Sequence, residues 1–268
     1  MLKTVLITGS SSGFGEALVD AFAAAGWNVT ATARNLSKFP AHFAHLPNVL
    51  VQRLDVTDER SVRESLAASK DRFGGLDVLI NAAGYTQVGS LEELSIDDIR
   101  KVLEANFFGL LTVTKDVLPG FREQGSGHII NFSSLAGAVG LPIVSSYSAS
   151  KWAVEGYSEA LSRETAHLGV KVTIIQPGLF ATGLAESAGR PNHPIDAYWS
   201  PESAAGRPWY NQTLGNLKAA AQAIASIAGS PEAPLRLYVG HGLEDARHYT
   251  QERLDEWDRW EKLTETTL

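Results

Sequence analysis

A single α/β domain, a doubly wound parallel sheet with helices on both faces, is the fold predicted by this 268-residue chain. Two observations predict it. Short apolar, β-branched runs alternate with longer stretches of helical periodicity, and strands in strict alternation with helices pair in parallel through right-handed crossovers. The runs Val78–Ile80 and Ile129–Phe132 are apolar without alternation, the pattern of strands covered on both sides. No internal repeat, low-complexity segment or composition break divides the chain, so 1–268 is expected to form one unit.

Taken in order, the first strand is Thr4–Ile7, and Gly15–Ala25 is the first helix. Between them lies Thr8-Gly9-Ser10-Ser11-Ser12-Gly13-Phe14-Gly15. Glycines between a strand and a helix make a tight turn, let backbone approach a pyrophosphate and pack helix closely on strand. The helix N-terminus beyond them offers unpaired N–H groups to phosphates. Gly- and Ser-rich turns are common punctuation, and it is this position that gives the loop its meaning.

The second strand, Asn28–Ala33, ends at Arg34 and carries no acid. An acidic residue there holds the ribose hydroxyls of NAD and repels a 2′-phosphate. A guanidinium, permanently charged and forked, suits that phosphate, so NADP is the expected cofactor. Without the glycine loop, Arg34 would read as a solvent-facing side chain.

Strands Val49–Leu54 and Val78–Ile80 flank a helix at Glu59–Phe73, and one long helix is expected over Asp97–Phe121, carrying Asn106. After the strand His128–Phe132 come Ser133 and Ser134. A hydroxyl at Ser134 could hydrogen-bond a carbonyl oxygen as charge grows on it, and Ser133 is expected to bond backbone.

Tyr147 and Lys151 open the helix Ser148–His167, and i,i+4 spacing puts phenol and ammonium on one face. A phenol with pKa near 10 is a poor acid-base catalyst at neutral pH. Lowering it by ~3 units takes about 4 kcal/mol. An ammonium about 4 Å away at an effective dielectric of about 20 supplies roughly that. Trp152 points away from the pair and is expected to pack.

The strand Lys171–Ile175 leads to Pro177-Gly178, and Gly215–Ala228 and Arg236–Val239 are the last helix–strand pair. Gly183–Asn211 departs from the pattern: it is rich in Gly, Pro and Ser, yet holds Tyr198, Trp199, Trp209 and Tyr210. Long irregular stretches in compact domains are usually functional, so a substrate lid is expected, its aromatics lining a pocket or anchoring a loop. At the C-terminus (242–264), Leu254, Trp257, Trp260 and Leu263 recur every three residues. They predict a helix whose apolar side packs on its own domain or on a subunit.

Composition excludes other classes. A net charge of -7 without any Lys/Arg block argues against nucleic acid. With no cysteine, disulfides and thiolate chemistry are out. Histidines 128, 167, 193, 241 and 248 show no metal-ligand spacing. Lys3 and the strand-like Thr4–Ile7 leave no room for a cleavable signal, and no apolar stretch approaches membrane-spanning length. A cytoplasmic protein is expected.

The chain resembles the short-chain dehydrogenase/reductase family over roughly Leu2–Thr182, and more loosely beyond. The resemblance rests on Thr8-Gly9…Gly13-Phe14-Gly15, Leu54-Asp55-Val56, Asn81-Ala82-Ala83-Gly84, Asn106, Ser134, Tyr147…Lys151 and Pro177-Gly178…Thr182 in this order. It implies a Rossmann-like domain on a seven-stranded parallel sheet, assembled as a homodimer or homotetramer through long helices. It also implies a catalytic tetrad. Tyr147 would be the general acid or base, and Lys151 would lower its pKa and hold the nicotinamide ribose. Ser134 would steady the substrate oxygen, and Asn106 would order a water relaying protons from Lys151. For the cofactor, Asp55 and Val56 would contact adenine, and Asn81, Ala82, Ala83 and Gly84 would line it. Phe180 and Thr182 would bind the carboxamide and phosphate end, and Arg34 with Ser11 the 2′-phosphate. Three departures from the family pattern are Phe14 for Ile or Leu, Ala82 for a second Asn, and Phe180 for Val or Ile.

The expected activity is NADP(H)-dependent interconversion of a ketone or aldehyde and an alcohol, on a medium-sized hydrophobic substrate. A non-catalytic NADP sensor on the same fold is the alternative, and it has no need of Tyr147 and Lys151 together. Nucleotide-sugar epimerisation or dehydration ranks lower, because that branch carries a different glycine pattern.

Overall fold

The computed structural model describes residues 2–184, 188–199 and 213–267. Seven strands form one sheet in the order β3-β2-β1-β4-β5-β6-β7, every neighbouring pair parallel. They are β1 Thr4–Thr8, β2 Asn28–Ala33, β3 Val49–Arg53, β4 Val78–Asn81, β5 Gly127–Phe132, β6 Val170–Pro177 and β7 Arg236–Val239. The helices are α1 Gly13–Ala24, α2 Glu59–Phe73, α3 Ile96–Leu103, α4 Gly109–Gln124, α5 Ser145–Thr165, α6 Asp196–Trp199, α7 Leu217–Ile227 and α8 Leu243–Glu265.

The alternation of strand side chains builds a core on each face. Val5 and Ile7 point to one side, among Leu18 and Phe22 of α1 and Ile224 of α7. Leu6 points to the other, among Val113, Val117 and Phe121 of α4. Each such buried side chain contributes roughly 1.5–3 kcal/mol. From β1 the chain builds outward to β2 and β3 on one side, then returns to place β4 on the other. The crevice at the carboxyl ends of β1 and β4 is therefore the topological switch point, where α/β sheets bind ligands.

Local chemistry sets the helix ends. Asp58 caps α2 by accepting from Arg60 N and Ser61 N, and Ser95 and Asp98 form a reciprocal capping box on α3. His128, buried on β5, accepts from Gly229 N at Nδ1 and pairs with Thr173 through Nε2. Burial and then the Lys171 charge lower its pKa to about 4, so it is neutral.

One expectation, the first of the following three, needs correction. The helix expected over Asp97–Phe121 is α3 and α4 joined by a π-turn at Glu104–Phe108, because Asn106 is drawn out of helical phase by its hydrogen bonds. In α8, Leu254, Trp257, Trp260 and Leu263 are exposed rather than packed on their own domain, because the helix runs past the body. Of the lid segment, α6 is described, whereas Trp209 and Tyr210 lie outside the described residues. Among the described residues, no helix is long and apolar enough to cross a membrane.

Candidate active site

The turn after β1 is shaped by what its glycines lack. Gly9 has φ +72°, and a Cβ there would stand 2.7 Å from Ala83 Cα. A Cβ on Gly15 would collide with the Gly9 carbonyl oxygen, and one on Gly13 would meet Thr182 at 3.0 Å. The result is a shallow floor of bare backbone ending at the α1 N-terminus. There Ser12 is exposed and makes no side-chain capping bond, and Ser11 is half-buried beside it. Thr182 lies across this N-terminus. The floor is tied down by two hydroxyls that the sequence reading did not single out. Thr8 Oγ1 accepts from Ala82 N and Ala83 N, both at 3.1 Å. Ser10 Oγ donates to Ile7 O and accepts from Thr32 N. Their signal was available: hydroxyls at strand ends, flanking a glycine turn, have carbonyls and amides to bind.

Around this floor, Arg34 is exposed at the end of β2 and forms no ion pair among the described residues. Asp55 Oδ1 accepts from Thr57 N and Thr57 Oγ1, and Val56 packs on Gly109. Asn81 closes β4. Its side chain is buried and donates to Thr114 and Asn131, and Asn131 in turn donates to Ser158. It stitches β4 to β5 and α4, and the less buried Ala82, Ala83 and Gly84 follow it.

The carboxyl end of β5 meets the first turn of α5. Lys151, fully enclosed, donates from Nζ to Phe132 O at 2.7 Å and lies 5.5 Å from the Tyr147 ring centroid. Burial lowers its pKa to about 8. Ser134 hydrogen-bonds the Tyr147 phenol, and its Oγ also accepts from Ala136 N. The Tyr147 pKa is raised, not lowered: burial dominates, opposed by the Ser134 bond. The ammonium addresses a backbone carbonyl and the ring rather than the phenolic oxygen, which is why the expected depression is missing. Ser133 also departs from expectation, since its buried Oγ has no partner among the described residues.

Asn106 is fully engaged. Its Oδ1 accepts from Tyr85 N, and its Nδ2 donates to Tyr85 O and Ser150 Oγ. Ser150 Oγ donates to Tyr147 O. Its side chain clamps the β4 loop to the α5 turn carrying Tyr147 and Lys151. Gly84 closes this corner, because a Cβ there would stand 3.0 Å from Asn106 Oδ1 and 3.7 Å from Lys151 Nζ.

The loop after β6 completes the site. A Cβ on Gly178, next to Pro177, would collide with the His241 carbonyl. Phe180 packs on Phe14, ring centroids 4.7 Å apart and nearly perpendicular. The two enlarged residues of the family pattern thus touch each other. Opposite, Glu93 Oε1 accepts from Ile195 N and Trp199 Nε1 at 2.7 Å each, and Oε2 accepts from Ser90 N. Burial pushes this carboxyl up, but the Ile195, Ser90 and Trp199 bonds outweigh it and hold the pKa at about 2. Glu93 therefore fastens α6 to the loop after β4, a role the sequence reading missed.

Residues 3–192 match the model of the short chain dehydrogenase family, and this chain belongs to that family of dehydrogenases and reductases. It is 35% identical to oxidoreductase BOA17 of Botryotinia fuckeliana, covering 98% of both chains. It is 40% identical to a 3-ketodihydrosphingosine reductase of Bacteroides thetaiotaomicron, over 69% of this chain and 66% of that one. A short-chain dehydrogenase from Streptomyces avermitilis superposes with a TM-score of 0.89 at 34% identity, covering 100% of this chain and 99% of the other. An actinorhodin polyketide ketoreductase variant with NADPH has a TM-score of 0.77 at 29% identity, over 90% of this chain and 97% of that one.

Proposed function

We propose that this chain is an NADP(H)-dependent oxidoreductase interconverting a ketone or aldehyde and an alcohol, with Tyr147 as general acid and base. The observation that carries this reading is the convergence of Ser134, Tyr147 and Lys151 at the end of β5, beside the bare glycine floor. The floor fits a dinucleotide. Its three glycines leave no side chain between backbone and ligand, the α1 N-terminus offers N–H groups to a pyrophosphate, and Arg34 is free to take a 2′-phosphate. Asp55, Val56, Asn81, Ala82, Ala83, Gly84, Phe180 and Thr182 would line the rest of the cofactor. Bound there, the nicotinamide supplies or accepts the hydride.

The protein's part is the proton. A phenol whose pKa is raised stays protonated at neutral pH, which suits donation to a carbonyl oxygen. Ser134 offers that oxygen a second hydrogen bond as it gains charge. Lys151 holds a positive charge behind the ring. Two similar proteins carry names that state ketone reduction, which supports the carbonyl side of the reaction and a hydrophobic substrate. The first test follows NADPH absorbance against a panel of aromatic, steroid-like and aliphatic ketones, and no turnover on any of them would count against the proposal.

The pH profile has a defined sign. Lys151, lowered to about 8 by burial, is charged below that pH and neutral above it. The ketone-reduction kcat/KM, which reports the free enzyme's groups, is expected to fall as pH rises through about 8. In Lys151→Arg the decline should move beyond the measurable range, since guanidinium keeps its proton.

Glu93→Ala removes the shared acceptor of Ile195 N and Trp199 Nε1. Discounted for partial exposure, the loss is about 1 kcal/mol. KM for the ketone is therefore expected to rise about fivefold, while NADPH affinity is unchanged. An unaltered KM would show that α6 does not border the substrate.

A further inference from the structure

Three phenylalanine rings meet at the site, each from a different segment, with Phe14 in the middle. Phe14 is the second residue of α1, at the end of the glycine floor. Its ring centroid lies 4.7 Å from that of Phe180, on the loop after β6, and 5.2 Å from that of Phe132, the last residue of β5. The rings are tilted or edge-on to one another, the arrangement aromatic pairs favour. Phe132 in turn gives its carbonyl oxygen to Lys151 Nζ. Phe14 therefore touches both the loop after β6 and the strand end that holds Lys151.

The Phe180 ring sits in a socket made by two glycines. A Cβ on Gly215, just before α7, would stand 2.4 Å from Phe180 Cε1, and one on Gly240, just after β7, 2.6 Å from Cε2. The backbone around the ring is tied as well. Gly178 N donates to Val239 O, Gly215 N to Leu179 O and Thr182 N to Phe180 O. Two residues beyond the ring, Thr182 comes against α1, since a Cβ on Gly13 would meet its carbonyl oxygen at 3.0 Å. The segments Gly13–Phe14 and Phe180–Thr182 thus meet twice, ring on ring and backbone on glycine. An aliphatic side chain at 180, as in the family pattern, would leave part of the Gly215–Gly240 socket empty. In the sheet, β2 and β6 lie on opposite sides of β1, so this double contact is at the far end of the floor from Arg34.

We propose that Phe14 and Phe180 are positioning residues, a ring clasp that holds the Phe180–Thr182 peptide against the α1 N-terminus. The clasp rests on the NADP(H) reading of the floor, and it shapes the seat of the pyrophosphate and nicotinamide half of that coenzyme. Calorimetric titration with NADPH and with adenosine 2′,5′-bisphosphate, which has the adenosine half alone, tests it. Phe14→Leu and Phe180→Leu keep apolar bulk and remove the ring contact. Each is expected to weaken NADPH about fivefold, within the contribution of an aromatic pair, and to leave the bisphosphate unchanged. Either substitution breaks the same contact, so the double variant should lose about fivefold rather than the roughly 25-fold of independent sites. Gly215→Ala, which would push the ring from its socket with both phenylalanines intact, should match Phe180→Leu. Equal losses for the two ligands, single effects that multiply in the double variant, or an NADPH affinity unchanged throughout would each overturn the clasp. A parent that binds neither ligand would instead sink the coenzyme reading, and the clasp with it.

Discussion

Tyr147→Phe is expected to lower kcat for ketone reduction by about 10²–10⁴-fold, the range of a lost general acid, with NADPH affinity unchanged. The substitution is close to ideal for this question. Phenylalanine keeps the ring that packs 5.5 Å from Lys151 Nζ, so only the hydroxyl and its bond to Ser134 disappear. The α5 turn should hold, since its anchors are the Asn106–Ser150–Tyr147 chain, which ends on the Tyr147 backbone carbonyl, and the Lys151–Phe132 bond. Single-turnover measurements at saturating NADPH separate chemistry from binding. Retained turnover in this variant would remove Tyr147 from the reaction and bring the sensor hypothesis forward.

Arg34→Asp is expected to reverse coenzyme preference. In the parent, the guanidinium is exposed at the end of β2 and in no ion pair among the described residues. A charged hydrogen bond to the 2′-phosphate contributes about 1.5–3 kcal/mol. Replacement should therefore weaken NADPH binding by roughly 10- to 150-fold, and more where the new carboxylate repels the phosphate. NADH, which has hydroxyls there, should bind at least as well as before. Fluorescence titration with both coenzymes measures this, and equal affinity for the two in the parent protein would refute the NADP assignment.

Much of the fold was legible because strands buried on both faces leave a clear mark. All seven strands were placed within a few residues of their observed bounds, from β1 at Thr4–Thr8 to β7 at Arg236–Val239. The site was legible as positions but less so as interactions. Tyr147, Lys151, Ser134 and Asn106 do meet, yet the direction of the Tyr147 pKa depends on where the Lys151 Nζ bonds, which spacing does not encode. Asn81 belongs to a loop motif but turns inward, because Thr114 and Asn131 supply partners from elements far away in sequence. Phe14 and Phe180 read as two separate departures until the fold brings their rings together. Glu93 looked like one acid among many, because Ile195 and Trp199 lie more than a hundred residues further on.

The π-turn at Glu104–Phe108 has a consequence for how this stretch can vary. Such a turn holds one residue more than the α-helical turn it replaces, so the segments on either side differ in phase by about 100°. Asn106 can then grip Tyr85 and Ser150 while Val113, Val117 and Phe121 still face the sheet. An unbroken α-helix would satisfy only one of these sets. Removing a single amino acid between Glu104 and Phe108 would regularise the helix and detach either the clamp or the hydrophobic face. Descendants of this chain can exchange side chains here, but they cannot shorten it.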